Sequence, residues 1–308
     1  MLLYERYNPP LNVRNIRAKG KTFKLIDDSY LECGTKQRGL AFFEDLKAQG
    51  YQAIVTSAAR TGYGQIATSW MCNVVGLECN ILYAYGGKQE FPFMDRARAY
   101  GAKQYSISRP DKYTITITQI TPGNMKSFGA GKSLSLQLND EDLPSESPAD
   151  PKKKRPVFWV SNNMQNIAIE HMSATRTKCK AINSGLDDDN FIIEMANSIT
   201  LANIDRITPK VIWLVVGSGT ILRALHLLWP NAKFMCVQVG RTIYPEDYVG
   251  VNMEIIDHQK ITHEKFMQGT AEDNLPPYDS VASYDAKLWI HARDQGKSGD
   301  YIWNVAKD

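Results

Sequence analysis

The chain has 308 residues, 43% of them hydrophobic and 22% charged, with a formal net charge of +3. That length suits one two-lobed enzyme fold or two smaller domains around a core large enough for a deep pocket. No apolar run approaches the ~20 residues of a membrane span, which excludes a membrane partner, and the mild charge neither demands nor excludes a polyanionic one.

In chain order, Ser29–Gly50 reads as a short turn and then a helix. Leu40, Phe43 and Leu46 share one face at spacings of three, and Gly50 is the stop. Tyr51–Ser57 is an apolar strand, Tyr63–Val75 a helix closed by Gly76, and Glu78–Tyr85 a strand. Phe93–Tyr100 is a helix capped by Gly101, and Lys103–Ser108 a strand. Such alternation implies parallel strands with crossover helices, hence an α/β protein. The stretch Pro110–Pro156 is less regular, with one strand expected at Tyr113–Gln119. Its acidic, Ser- and Pro-rich part (140–150) runs into the basic Lys152-Lys153-Lys154-Arg155, which reads as a solvated loop or as a phosphate or nucleic-acid contact. Val157–Val160 is expected as a strand. Asp188–Leu201 is a helix with acids in its first turn, where the dipole favours them. Val211–Val216 (VIWLVV) is a strand covered on both faces, followed by Gly217-Ser218-Gly219-Thr220, a helix over Ile221–Trp229 and a strand over Phe234–Val239. A mixed tail ends in Tyr301–Val305.

The N-terminus MLLYERYNPPLNVR lacks a secretory apolar stretch, so a cytoplasmic protein is expected. Cys33, Cys72, Cys79, Cys179 and Cys236 form no CxxC pair. They suit neither zinc nor disulfides; reduced, mostly buried thiols and no metal site are expected.

Two local features carry chemistry. A strand, Gly217-Ser218-Gly219-Thr220 and a helix make a phosphate cup: the helix start offers N–H groups and a positive dipole end, the glycines let backbone wrap an anion, and hydroxyls add donors. The same four residues also read as a tight turn that binds nothing. No GxxxxGK[ST] or GxGxxG pattern is present. A methyltransferase-like reading wants an acid at the end of the next strand, and Val237-Gln238-Val239-Gly240 has none. Lys36 is the second feature. At a helix start and beside Arg38 it should lose its proton readily, and a neutral amine is what Schiff-base chemistry needs. Taken alone it reads first as a solvated surface lysine.

Together these features resemble the fold-type II pyridoxal 5′-phosphate (PLP) enzymes, nearest the branch of 1-aminocyclopropane-1-carboxylate deaminase and D-cysteine desulfhydrase. Cys33-Gly34-Thr35-Lys36-Gln37-Arg38-Gly39-Leu40 is similar to that branch's GGNKxRKLE segment, whose lysine holds PLP. Phe93–Ser108 resembles its helix, Gly-Ala, strand unit. Phe191–Thr220 resembles its helix, strand and GSGGT cup, and Ser283-Tyr284-Asp285-Ala286-Lys287 its C-terminal Tyr-containing segment. The four stand in the family's order over most of the chain, Pro110–Pro156 excepted.

The resemblance implies a two-lobed fold with parallel or mixed sheets flanked by helices: a large PLP-binding domain (1–45 and 125–308) and a small domain (46–124). It implies that Lys36 carries PLP as a Schiff base and then moves protons, and that Gly217, Ser218, Gly219 and Thr220 hold the phosphate. Tyr284 would stack on the pyridine ring and Asp285 contact its nitrogen, favouring a strong electron sink. Thr61-Gly62-Tyr63-Gly64 falls where the family keeps a Ser-Asn loop for substrate carboxylate and cofactor. Here that pair reads as Gly62-Tyr63, which speaks against cyclopropane opening; backbone N–H groups at Thr61–Gly64 still suit a carboxylate, and Tyr63 is either a site residue or a core aromatic. The cup has one glycine fewer than GSGGT. The activity implied is that of a PLP-dependent lyase on a small amino-acid-like amine, by deamination or elimination, in a homodimer. Two alternatives stand beside it: a PLP-dependent decarboxylase acting on an amino acid attached to a modified nucleobase in phage DNA, with DNA as partner, and a non-catalytic relative that binds a phosphate ligand.

Overall fold

The computed structural model describes residues 6–83, 91–107, 114–120, 133–137, 157–176, 178–202, 204, 207–240, 242–265 and 268–308, with backbone alone for 137 and 157–165. The run Lys152–Arg155 lies outside them. In chain order the elements are β1 (Val13–Ala18), β2 (Lys21–Asp27), α1 (Leu40–Ala48), β3 (Ala53–Ala58), α2 (Gly64–Val75) and β4 (Glu78–Tyr83). They continue with α3 (Pro92–Ala99), β5 (Lys103–Ile107), β6 (Thr114–Ile120), β7 (Ser133–Gln137), α4 (Val157–Ala174), β8 (Cys179–Ile182) and α5 (Asp189–Leu201). The last are β9 (Val211–Val216), α6 (Thr220–Leu228), β10 (Lys233–Gln238), β11 (Met253–Asp257), α7 (His258–Thr262), α8 (Leu288–Gln295) and β12 (Tyr301–Asn304). The chain divides into two compact units, Met1–Glu44 with Asp187–Asp308, and Asp45–Leu186. The described parts of 125–186 thus group with 45–124.

The first unit is a six-stranded sheet in the order β1-β2-β12-β9-β10-β11. β1 and β2 are antiparallel and register Ala18 against Lys21, so Lys19 and Gly20 alone make the turn. Both have positive φ (46° and 73°), the conformation whose twist matches a two-residue hairpin. The other pairings are parallel. Phe23, Leu25, Trp213, Val215, Val237, Trp289 and Ile302 form the core on one face.

The second unit is a six-stranded sheet in the order β7-β6-β5-β4-β3-β8. β3, β4, β5 and β8 run parallel, and β6 and β7 close one side as antiparallel strands. Val55, Leu82, Tyr105, Ile115 and Ile117 pack with Ala168, Ile169 and Met172 of α4.

One expected strand is overturned. Val157–Val160 is the first turn of the 18-residue α4. Four apolar residues in a row suit either structure. What decides is the uninterrupted continuation to Ala174, free of Gly and Pro, with Ala168, Ile169 and Met172 on one helical face. The tail around Tyr301 is no appendage either, since β12 lies between β2 and β9. All five cysteines are free; Cys179 is half-buried and the others buried. Among the described residues no helix is long and apolar enough to cross a membrane, and no cluster of His, Cys, Asp or Glu suits a metal.

Candidate functional site

In open α/β sheets, ligands sit beyond the carboxyl ends of the strands where strand order reverses. In the first unit that point is β9, which has β10 on one side and β12 on the other. Gly217–Thr220 leave the end of β9, and Val305 and Ala306 leave the end of β12.

Gly219 caps α6 with φ +77°, a left-handed conformation that glycine adopts without strain. Ser218 Oγ and Thr220 Oγ1 are 2.9 Å apart. Both glycines of the turn are also sterically required. A side chain on Gly217 would begin 2.5 Å from the Tyr284 hydroxyl, and one on Gly219 would collide with the hydroxyl of Tyr248. Tyr284 therefore stands against the cup. Burial pushes its phenol pKa up.

Asp285 follows in a one-turn 3₁₀ helix (Asp285–Lys287) and is only 4% exposed. Neither of its carboxyl oxygens makes a well-formed hydrogen bond. Burial raises its pKa well above the usual carboxylate range; the Ala306 N–H opposes this and Asp308 adds to it. A buried acceptor that lacks a well-formed hydrogen bond costs up to ~1–3 kcal/mol, so a structure that keeps one has a reason to keep it. Behind this turn, Lys287 Nζ donates to the Lys265 carbonyl at 3.0 Å. His258 contacts His291 at 3.0 Å and Glu264 at 2.9 Å.

Lys36 sits in a second 3₁₀ turn, Thr35–Gly39. Its neighbours fix that turn. Gly34 (φ +67°) lies so close to the end of β12 that a side chain would begin 2.5 Å from the Val305 carbonyl oxygen. Thr35 N–H donates to that carbonyl at 3.0 Å, and Trp303 Nε1 donates to Thr35 Oγ1 at 2.8 Å. Arg38 and Asp28 form an ion pair at 2.6 Å with both side chains wholly buried. Lys36 itself is half-buried, and burial pushes its pKa down to about 8, against a carboxylate, Asp187, that favours the ammonium. The expected loss of basicity is therefore present but its expected cause is not. Arg38 is matched by Asp28, and desolvation does the work instead.

Asp187 is a residue that the sequence reading passed over. It is held at 2.7 Å by Arg223 from the first turn of α6, and Asp189 takes the other arm of the same guanidinium. It thereby ties the surroundings of Lys36 to the helix that follows the cup. Three consecutive aspartates, 187–189, were the only signal, and nothing local separates their roles.

Thr61, Gly62, Tyr63 and Gly64 belong to the second unit. There the strand order reverses at β3, between β4 and β8, and residues 59–64 leave the end of β3. Gln65, fully buried, shapes this loop by donating to the carbonyls of Ala59, Arg60 and Gly62 at 3.2, 2.9 and 3.0 Å. Its own carbonyl oxygen accepts from the Tyr83 hydroxyl at 2.6 Å. Gly62 N–H bonds back to Ala59. The Tyr63 ring meets Phe93 edge-on, with centroids 5.7 Å apart, and the Arg96 guanidinium lies 5.4 Å above it. Gly64 opens α2, where first-turn N–H groups point out of the helix.

No protein-family model matches the sequence, and no curated protein matches it. Solved structures are similar in fold. An ACC deaminase homologue is 14% identical at a TM-score of 0.63, over 96% of this chain and 89% of its own. Diaminopropionate ammonia lyase from Escherichia coli, in complex with an aminoacrylate–PLP azomethine reaction intermediate, is 11% identical at 0.55, over 98% and 84%. A hydrogen sulfide-producing enzyme from Fusobacterium nucleatum is 11% identical at 0.53, over 99% and 95%. The chain has the α/β architecture of the fold-type II PLP enzymes, with two mixed six-stranded sheets flanked by helices.

Proposed function

We propose that this protein binds PLP on Lys36 and acts as a PLP-dependent lyase, of deamination or elimination type, on a small amino-acid-like amine. The observation that carries the reading is Asp285: a buried carboxyl without a well-formed hydrogen bond, beside a tyrosine that abuts a helix-start anion cup. A protonated ring nitrogen would give such a group a charged partner, and it would bring the carboxyl back to its ionised form. The glycine turn suits a phosphate, and the amine with a pKa near 8 suits a carbonyl. The residues present therefore fit the cofactor.

In this reading Lys36 is the attachment point and, once displaced by the substrate amine, the group that accepts or returns a proton. The backbone of Gly217, Ser218, Gly219 and Thr220 anchors the phosphate. Tyr284 flanks the ring, and Asp285 holds its nitrogen protonated. Thr61, Gly62, Tyr63 and Gly64 take the substrate carboxylate. When bound, PLP supplies an electron sink for the pair left at Cα as a bond there breaks. The fold relatives support the class through what they are: a deaminase homologue, an ammonia lyase and a sulfide-producing enzyme.

A non-catalytic relative that held a phosphate ligand at the cup alone would keep Asp285 buried at a cost and without return, which counts against that alternative. The nucleobase-linked decarboxylase rested on the loop changes, the basic run and the Pro110–Pro156 stretch. The basic run and most of Pro110–Pro156 lie outside the described residues, and none of the fold relatives named above is described as a decarboxylase or as acting on DNA. The test is spectroscopic. The protein purified with PLP should show a visible absorption band that Lys36→Ala abolishes, and amino acids should perturb that band. A colourless wild-type protein, or a band indifferent to Lys36→Ala, overturns the reading. A screen for ammonia and oxo-acid release then identifies the substrate.

A further inference from the structure

The cup is one residue shorter than the GSGGT it resembles, so it offers one backbone N–H fewer to an anion. Among the described residues, the helix that follows it adds no uncommitted cation in its first turn. Arg223, in the first turn of α6, has its guanidinium matched by Asp187 and Asp189. Among the described residues of the turn and its helix, a phosphate dianion is therefore met by backbone N–H groups, the helix dipole and hydroxyls.

Two hydroxyls reach the turn from outside it, that of Tyr284 at Gly217 and that of Tyr248 at Gly219. Tyr248 follows a short 3₁₀ turn, Pro245–Asp247, in a stretch whose neighbours Tyr244 and Val249 are solvent-exposed. Tyr248 itself is half-buried. Its side chain reaches in so that its hydroxyl occupies the place a Gly219 side chain would take. That hydroxyl donates to the Ser218 carbonyl at 3.3 Å, a long bond to a neutral acceptor. Two features of the turn thus answer to this one tyrosine: the absence of a side chain at residue 219, and a carbonyl that holds the hydroxyl at the cup.

We infer that Tyr248 is a phosphate-binding residue, whose hydroxyl turns from the Ser218 carbonyl to an oxygen of the bound phosphate and supplies the donor that the shortened turn lacks. The exchange replaces a weak neutral bond by a charge-assisted one, which is about twice as strong. The inference rests on the PLP reading for the identity of the ligand, but the hydroxyl acts on the phosphate alone.

Three probes separate the possibilities: PLP, pyridoxal and inorganic phosphate, each titrated against wild type and Tyr248→Phe. Phenylalanine keeps the ring over Gly219, and circular dichroism checks that the fold is retained. The expected result is a loss of about ten- to hundredfold in affinity for PLP and for inorganic phosphate, the range of a bond to a charged group, with pyridoxal binding unchanged. Unchanged PLP affinity, or an equal loss for PLP and pyridoxal, overturns the role of Tyr248 and leaves the PLP reading standing. A wild-type protein that takes up no PLP overturns that reading and this inference with it.

Discussion

The turn that presents Lys36 depends on a charge pair hidden from solvent, so removing one member should be costly. Arg38 Nε lies 3.2 and 3.0 Å from the two Asp28 oxygens, and Nη2 lies 2.6 Å from one of them. The rest of the guanidinium reaches Asn8 Oδ1 at 2.7 Å, the Pro9 carbonyl at 3.0 Å and the Tyr30 hydroxyl at 3.3 Å. Burial alone would lower the Arg38 pKa, but Asp28 outweighs it and the net shift is upward. In Asp28→Ala the guanidinium keeps its neutral partners and loses its only described counter-charge. Breaking a buried pair in this way costs ~3–5 kcal/mol, a large share of the ~5–15 kcal/mol that holds a typical protein folded. Replacing both members by apolar residues, Asp28→Leu with Arg38→Met, removes the orphaned charge and should recover most of the loss. Urea unfolding followed by tryptophan fluorescence measures both. A loss below ~1 kcal/mol for Asp28→Ala, or a double variant no more stable than the single one, would refute this account of the turn.

Three further outcomes follow from the titrating groups. Burial raises the Asp285 pKa above its ordinary 3.8, so its contribution is fully present below that value and is lost as pH rises through the folded-state pKa. Asp285→Asn should therefore be more stable than wild type near pH 8 and equal to it near pH 4 in pH-resolved unfolding, while retaining PLP poorly; parallel curves would contradict it. Asp187 favours the charged form of Lys36, so Asp187→Asn should lower the Lys36 pKa further below about 8, read from the pH dependence of amine labelling. A rise there would exclude Asp187 as the tuning charge. Burial, and secondarily His258, holds His291 at about 4, against an ordinary 6.5. The unfolded chain then takes up its proton first on acidification, so stability is present above pH 6.5 and declines toward pH 4. Melting temperatures of His291→Gln should fall less steeply across that window, and an identical slope would show that the imidazole carries none of the effect.

What could be read from the sequence was whatever is decided locally. The cup is a strand, four small residues and a helix in immediate succession, and its chemistry follows from those alone. Lys36 needed three distant segments to distinguish it from a surface lysine, which is why order along the chain mattered more than its own neighbours. Arg38 shows the limit. The sequence puts a cation beside Lys36, but whether that cation acts depends on Asp28 ten residues earlier and on full burial, and only tertiary structure sets either. Asp187, Asp188 and Asp189 look alike in sequence. In the fold Asp188 caps α5 by accepting from the N–H groups of Asn190 and Phe191, while its two neighbours hold Arg223. The β1–β2 hairpin went unread because Val-Arg-Asn-Ile-Arg-Ala alternates weakly, although Lys19-Gly20 marks the turn. Tyr248 carried no signal at all, since it reaches the cup from thirty residues away across a surface loop.

The placement of β12 bears on how the first unit is assembled. Its six strands come from the two ends of the numbering, and β12, with the highest numbers of the six, sits in the middle and joins β2 to β9. During synthesis the β1–β2 hairpin can form early, yet it has nowhere to dock until residues 301–304 have emerged. Such long-range closure is slow and leaves apolar strand edges uncovered in the meantime. The loops that carry Lys36 and the glycine cup flank that same strand. The surroundings of Lys36 and of the glycine turn are therefore completed only with the last strand of the sheet, and under the PLP reading a shorter nascent chain should not retain the cofactor.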